Sequence, residues 1–208
     1  MIADTAVLAA QPVRLLLAGV FDALAKFVEI KQRFHKETKE YPIGLDYAYV
    51  MSKASYRFLN EKTAKCIGDM EKGEVTDDVE KIIFTTIAAT GVISGIARGS
   101  NQCALAHKFY ETTRVLFPET ARPYLHGEIV GVGLLLQNHF NGEEENNEAL
   151  LALMKNYNMP YRLEDIGVDK TEEIYNQYYE KLCASSAIET EEESVRLIAS
   201  LKYLWGIL

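Results

Sequence analysis

Three side chains able to ligate a metal stand in apolar, helix-patterned surroundings. They are Asp22 in Gly19-Val20-Phe21-Asp22-Ala23-Leu24-Ala25-Lys26, His107 in Ala104-Leu105-Ala106-His107, and His126 in Tyr124-Leu125-His126-Gly127-Glu128. A carboxylate in the middle of a buried helix is costly unless it is paired or bound to a cation. For Asp22 the partner is either a cation from outside or Lys26, one turn away on the same face. Each histidine is either a ligand or a hydrogen-bonded core residue, and spacing alone does not show that the three side chains meet. His35 and His139 lie among polar neighbours and read as surface residues.

The elements that carry these residues read as helices. Apolar residues recur at three- and four-residue steps along nearly the whole chain, and alternating runs bounded by turn signals are nearly absent, so the expected fold class is all-α. Pro12 fits the first position of a helix that carries Leu15, Leu16, Gly19, Ala23, Phe27 and Ile30 to about Phe34. Tyr41-Pro42-Ile43-Gly44 breaks the chain, and a second helix runs from about Leu45 towards Gly68. Thr76-Asp77-Asp78 reads as the cap of a third, with Ile82, Ile83, Ile87 and Ile93 along it and Gly91, Gly95 and Gly99 at four-residue spacing. A loop is expected at Gly99-Ser100-Asn101, a fourth helix over Cys103 to Leu116, a loop over Pro118 to Pro123 and a fifth helix from near His126. Three or four amphipathic helices come after it, with a turn at Asn158-Met159-Pro160. Met1 to Thr5 reads equally as a helix lead-in or the tail of a strand.

Composition narrows the partners. The chain has 208 residues, is 48% hydrophobic, and carries 22 Lys and Arg against 30 Asp and Glu, for a formal charge of −8. That sign argues against binding nucleic acid through its phosphates. Glu143-Glu144-Glu145 and Glu191-Glu192-Glu193 read as solvated helix starts rather than cation sites. Cys66, Cys103 and Cys183 form no CxxC pair and are odd in number, which suits a reducing compartment. The apolar run Val13 to Val20 is interrupted by Arg14 and is too short for a membrane span. A soluble cytoplasmic protein of one domain, residues 1–208, is the expectation.

The segments Asp4-Thr5, Ala9-Ala10-Gln11-Pro12-Val13-Arg14, Ala18-Gly19 and Asp22 to Lys26 are succeeded in order by Ala106-His107, His126-Gly127-Glu128 and Val130-Gly131-Val132-Gly133. Together they resemble the C-terminal helical domain of the iron-containing alcohol dehydrogenase family, in its glycerol dehydrogenase-like branch, a bundle shared with dehydroquinate synthase-like enzymes. The resemblance spans about residues 1 to 140 and is specific because separate motifs coincide in order. It implies that Asp22, His107 and His126 bind one catalytic divalent metal. Three protein ligands of mixed N and O type leave the open position of a catalytic zinc, at which an alcohol or polyol would lose its proton before passing a hydride to NAD(P).

Departures from the family pattern refine this. Lys26 stands where iron-using members often carry histidine, which favours zinc over iron. Phe21 stands where relatives commonly have glycine, and would narrow the space beside the metal. Tyr110 or Glu111 replaces a second histidine one turn after the first, and either could relay a proton. Ile2-Ala3-Asp4-Thr5 matches the end of the last strand of the family's nucleotide-binding domain, which has no counterpart in this sequence. Gly131-Val132-Gly133 is the only GxG, falls inside an expected helix, and reads as a packing feature. The 208 residues alone are therefore expected neither to bind NAD tightly nor to oxidise an alcohol. An apolar face left by the missing half would favour a homo-oligomer. Dehydroquinate synthase-like enzymes, which typically have Glu at the position of Asp22, glycerol-1-phosphate dehydrogenases, and a non-enzymatic helical module remain the alternatives.

Overall fold

The computed structural model describes residues 4–34, 42–98 and 103–206. Every regular element among them is helical. Contacts divide the chain into two compact units, Met1–Gln102 (unit 1) and Cys103–Leu208 (unit 2). Tyr41, His35, Ile2, Ala3 and the expected loop at Gly99-Ser100-Asn101 lie outside the described residues.

Unit 1 contains α1 (Thr5–Ala9), α2 (Val13–Phe34), α3 (Ile43–Glu71), α4 (Asp77–Phe84), a π-helical turn (Thr85–Ala89) and α5 (Thr90–Ile96). Asp4 belongs to a helix start: its carboxylate accepts the Ala6 and Val7 N–H groups. Pro12 sits one position earlier than expected, at the cap of α2, where its carbonyl accepts the Leu15 and Leu16 N–H groups. The long α2 and α3 pack against each other, and a core of Ile30, Leu45, Ala48, Ile93 and Ala97 ties both to α5. Gly44 allows the start of α3 to press on the Ile96 carbonyl, which a Cβ there would strike.

Thr76 caps α4 as expected, accepting the Val79 N–H at 3.4 Å. Its hydroxyl also donates to Asp69 at 3.0 Å, while Lys65 lies 2.9 Å from Asp69 and 3.3 Å from Asp78. The Lys65 ammonium holds both carboxyl groups below the usual carboxylate range. From Asp77 to Ile96 the chain forms one 20-residue rod, long and apolar enough by composition to cross a membrane. Within unit 1 the rod packs against α2 and α3. Val79, Ile82, Ile83 and Ile93 are buried, but Ile87, expected on the same face, is exposed. At the end of the π-turn the hydroxyl of Thr90, the first residue of α5, donates to the Thr85 carbonyl at 2.9 Å, a side-chain bond beside the altered ladder.

Unit 2 contains α6 (Leu105–Leu116), α7 (Pro118–Ala121), α8 (His126–Phe140), α9 (Asn146–Asn156), a 3₁₀ turn (Glu164–Ile166), α10 (Glu172–Cys183) and α11 (Glu191–Trp205). α8 is buried along nearly its whole length and packs against α6, α9 and α11. Phe109, Tyr178 and Trp205 join α6, α10 and α11 through ring contacts of 5.2 and 5.4 Å. The buried Tyr178 hydroxyl bonds Thr113 at 2.8 Å, and burial pushes its ionisation upward.

Three expectations are revised in unit 2. Pro118 to Ala121 is a short helix, not a loop, with proline at its first position. Glu193 is buried rather than solvated: in the start of α11 it accepts the Glu189 and Thr190 N–H groups at 2.6 and 3.1 Å. His139 is not an ordinary surface residue. Its Nδ1 lies 3.0 Å from the Ser200 hydroxyl, and its ring stacks on Tyr203 at 4.6 Å.

Candidate metal centre

His107 and His126 stand in the opening turns of two packed helices. His107 is the third residue of α6 and His126 the first of α8, and their ring centroids are 5.2 Å apart. The first N–H groups of a helix have no partner within it and must find one elsewhere. For α6 the partner comes from α8: Gln137 Oε1 accepts the N–H groups of Leu105 at 2.7 Å and Ala106 at 3.2 Å. For α8 it is Glu128, whose buried carboxylate accepts the Leu125 N–H at 2.7 Å. The His-Gly-Glu motif thus has a local physical reading, in which the glutamate at the third position secures the turn that presents the histidine.

Two further devices hold these starts together. Arg114 donates to the Ala121 and Tyr124 carbonyls at 2.7 and 2.6 Å, fastening the segment that leads into α8. A Cβ at Gly133 would lie 2.7 Å from the Ala106 carbonyl oxygen, so glycine permits the close approach of α8 to the residue before His107. Gly131-Val132-Gly133 is accordingly a packing feature inside α8.

The two histidines differ in environment. His107 is 6% exposed, whereas His126 is open to solvent. Tyr110, one of the two residues expected to relay a proton, meets His126 edge-on with ring centroids 4.3 Å apart. Glu111, the other, is paired with Lys108 at 2.6 Å and half exposed. The Arg114 guanidinium lies over the Tyr110 ring at 5.4 Å. Sequence reasoning missed Gln137 and Arg114 as supports. The available signal for Gln137 was an amide inside an otherwise apolar helix.

Asp22 belongs to unit 1, on α2, where Lys26 Nζ lies 3.1 Å from its Oδ1. The ion pair suggested by spacing is therefore present. It leaves ligand capacity, because a carboxylate offers about four lone-pair sites over its two oxygens. Phe21 beside it is fully buried and serves the packing of α2. Two imidazoles and a carboxylate are donors that a divalent zinc-type ion accepts, so the residue types fit such a metal.

No protein-family profile matches the chain. Glycerol dehydrogenase of Thermotoga maritima is 28% identical over 200 residues, covering 94% of this chain and 53% of that protein. Glycerol-1-phosphate dehydrogenase of Pyrobaculum islandicum is 27% identical over 173 residues, covering 81% of this chain and 48% of that protein. The chain thus spans about half the length of the curated relatives it matches. Among solved structures, a probable glycerol dehydrogenase from Sinorhizobium meliloti 1021 superposes with a TM-score of 0.76 at 24% identity, over 99% of this chain and 59% of that one, a likeness of fold. The sequence is thus similar to glycerol and glycerol-1-phosphate dehydrogenases over about half the length of those proteins, and the fold is that of part of a probable glycerol dehydrogenase.

Proposed function

We propose that the chain is the metal-binding helical domain, residues 1–208, of an NAD(P)-dependent dehydrogenase acting on a glycerol-like alcohol or polyol. Asp22, His107 and His126 are the protein ligands of one divalent metal, and the donor types favour zinc. The observation that carries the reading is the histidine pair at the starts of α6 and α8, held by Gln137, Glu128 and Gly133. Asp22 joins them on the strength of the matched motifs. Bound there, the metal would lower the pKa of a substrate hydroxyl and ready it for hydride transfer.

The chain's own residues have separate tasks. Lys26 orients the Asp22 carboxylate. Tyr110 fixes the His126 ring from one side and presents a phenol that can relay the substrate proton. The nicotinamide is supplied by a nucleotide-binding part outside these residues, and the assembly is a soluble, cytoplasmic homo-oligomer.

An unphosphorylated substrate is favoured over glycerol 1-phosphate because the basic side chains beside the histidines are engaged. Arg114 is spent on two carbonyls and Lys108 on Glu111. A phosphate would have to displace those partners before receiving the charge-assisted bonds it needs.

Isothermal titration of the purified, metal-stripped chain with zinc tests the assignment. One ion per chain is expected, with His107→Ala, His126→Ala and Asp22→Asn each weakening it and the helical circular dichroism unchanged. Binding that survives all three substitutions, or no binding by the unaltered chain, would remove the metal centre.

A further inference from the structure

Along α3, Ile43, Tyr47 and Val50 are 66%, 62% and 65% exposed, and Ala54 continues the row in the open. Their spacing of four, three and four residues is that of the seam of a helix packed on another helix. The opposite side of α3 is already used, with Leu45, Ala48, Ser52, Ser55 and Leu59 buried within unit 1. The row is therefore a second apolar stripe, left unpartnered among the described residues. A groove of roughly 310 Å³ opens beside it, where Phe27 of α2 faces Val50, Ala54 and Tyr56 of α3. It can receive the side chain of an incoming helix.

The charges beside the stripe select the occupant. Asp46 and Lys53 are seven residues apart and share one flank of the seam. Neither pairs with another charged residue among those described. When two copies of a helix pack antiparallel about a twofold axis, like flanks meet, and when they pack parallel, opposite flanks meet. An antiparallel copy with the axis near Val50 sets Asp46 against Lys53 of the partner, and Lys53 against its Asp46. A parallel copy leaves both without a partner. The geometry points to a second copy of this chain as the occupant, docked antiparallel through α3 with Val50 at the centre and two Asp46–Lys53 pairs at the rim. The inference uses no part of the metal centre, so either can fail without the other.

Sedimentation velocity over a concentration series of the purified chain tests it. A reversible monomer–dimer exchange is expected. Val50→Glu, at an exposed site that leaves the fold intact by circular dichroism, should abolish the dimer. Asp46→Lys should weaken it by about fivefold or more at low salt, since two rim pairs turn repulsive, and Lys53→Asp should act alike. The double reversal, Asp46→Lys with Lys53→Asp, should restore association. A chain monomeric at every concentration, a dimer indifferent to Val50→Glu, or a double reversal weaker than either single change would each overturn the proposal.

Discussion

In unit 1 the candidate ligand is the tenth residue of a 22-residue helix, whereas in unit 2 both histidines fall within the first three residues of theirs. A residue in mid-helix takes its place from backbone bonds on both sides and from the packed face beneath it, and Asp22 has the Lys26 ammonium beside it in addition. A residue in the first turn sits where the ladder is incomplete and the end frays. Unit 2 therefore carries polar supports at its helix starts: Gln137 reaching across to α6, Glu128 closing the start of α8, and Arg114 clasping the segment before it. Open helix starts offer side chains to a ligand at the cost of needing such supports.

The sharpest way to break this contrast is Gly133→Val. The new Cβ would meet a backbone oxygen, which cannot swing aside, so α6 and α8 must part. A loss of about 1–3 kcal/mol is expected from overpacking. Trp205, the single tryptophan, reports unit 2, and an unchanged urea midpoint in its fluorescence would mean that the close approach is not needed. Gln137→Leu should come next. It strands two buried N–H groups at the start of α6, for about 1–3 kcal/mol. Amide exchange at Leu105 and Ala106 should accelerate while the centre of α2 is unaffected. Equal acceleration in both places would erase the distinction between supported ends and self-supported middles.

The smallest effect belongs to unit 1. Asp69 and Asp78 have native-state pKa values held down by Lys65, so their contribution is present above the ordinary carboxylate range. It is lost as pH falls from about 4 through the lowered values, where the native state must take up protons it resists. Asp69→Asn should flatten this acid limb in a melt monitored by amide exchange along α3 and α4. An unchanged limb would show that the α3–α4 corner is not proton-linked.

Much of the molecule is legible locally. Thr76 announced α4 because a cap and its N–H acceptor role lie three residues apart, and the Asp22–Lys26 pair is a matter of one helical turn. Gly133 read as packing because no strand precedes it. The hidden parts depend on contacts distant in sequence. Gln137 supports residues about thirty positions away, and His139, polar among its neighbours, is enclosed by Ser200 and Tyr203 of α11. The boundary between the two compact units follows Gly99-Ser100-Asn101, a stretch legible as a loop but too short to read as a linker. Ile87 kept to the helical count but emerged on the outer side. For the candidate site, residue types and order were legible, but the supports that hold the histidines were not.

The π-turn in the rod from Asp77 to Ile96 bears on how the chain tolerates changes of length. Such a turn is an α-helix that has taken in one extra residue without rephasing the residues beyond it. Removing one residue from Thr85–Ala89 would let the segment close into regular α-helix, with Ile82 and Ile83 before it and Ile93 after it still directed at the same core. A deletion elsewhere in the rod would turn every later side chain by about 100° and expose Ile93. Thr85–Ala89 is thus a splice point, where sequences of unequal length can share one buried face.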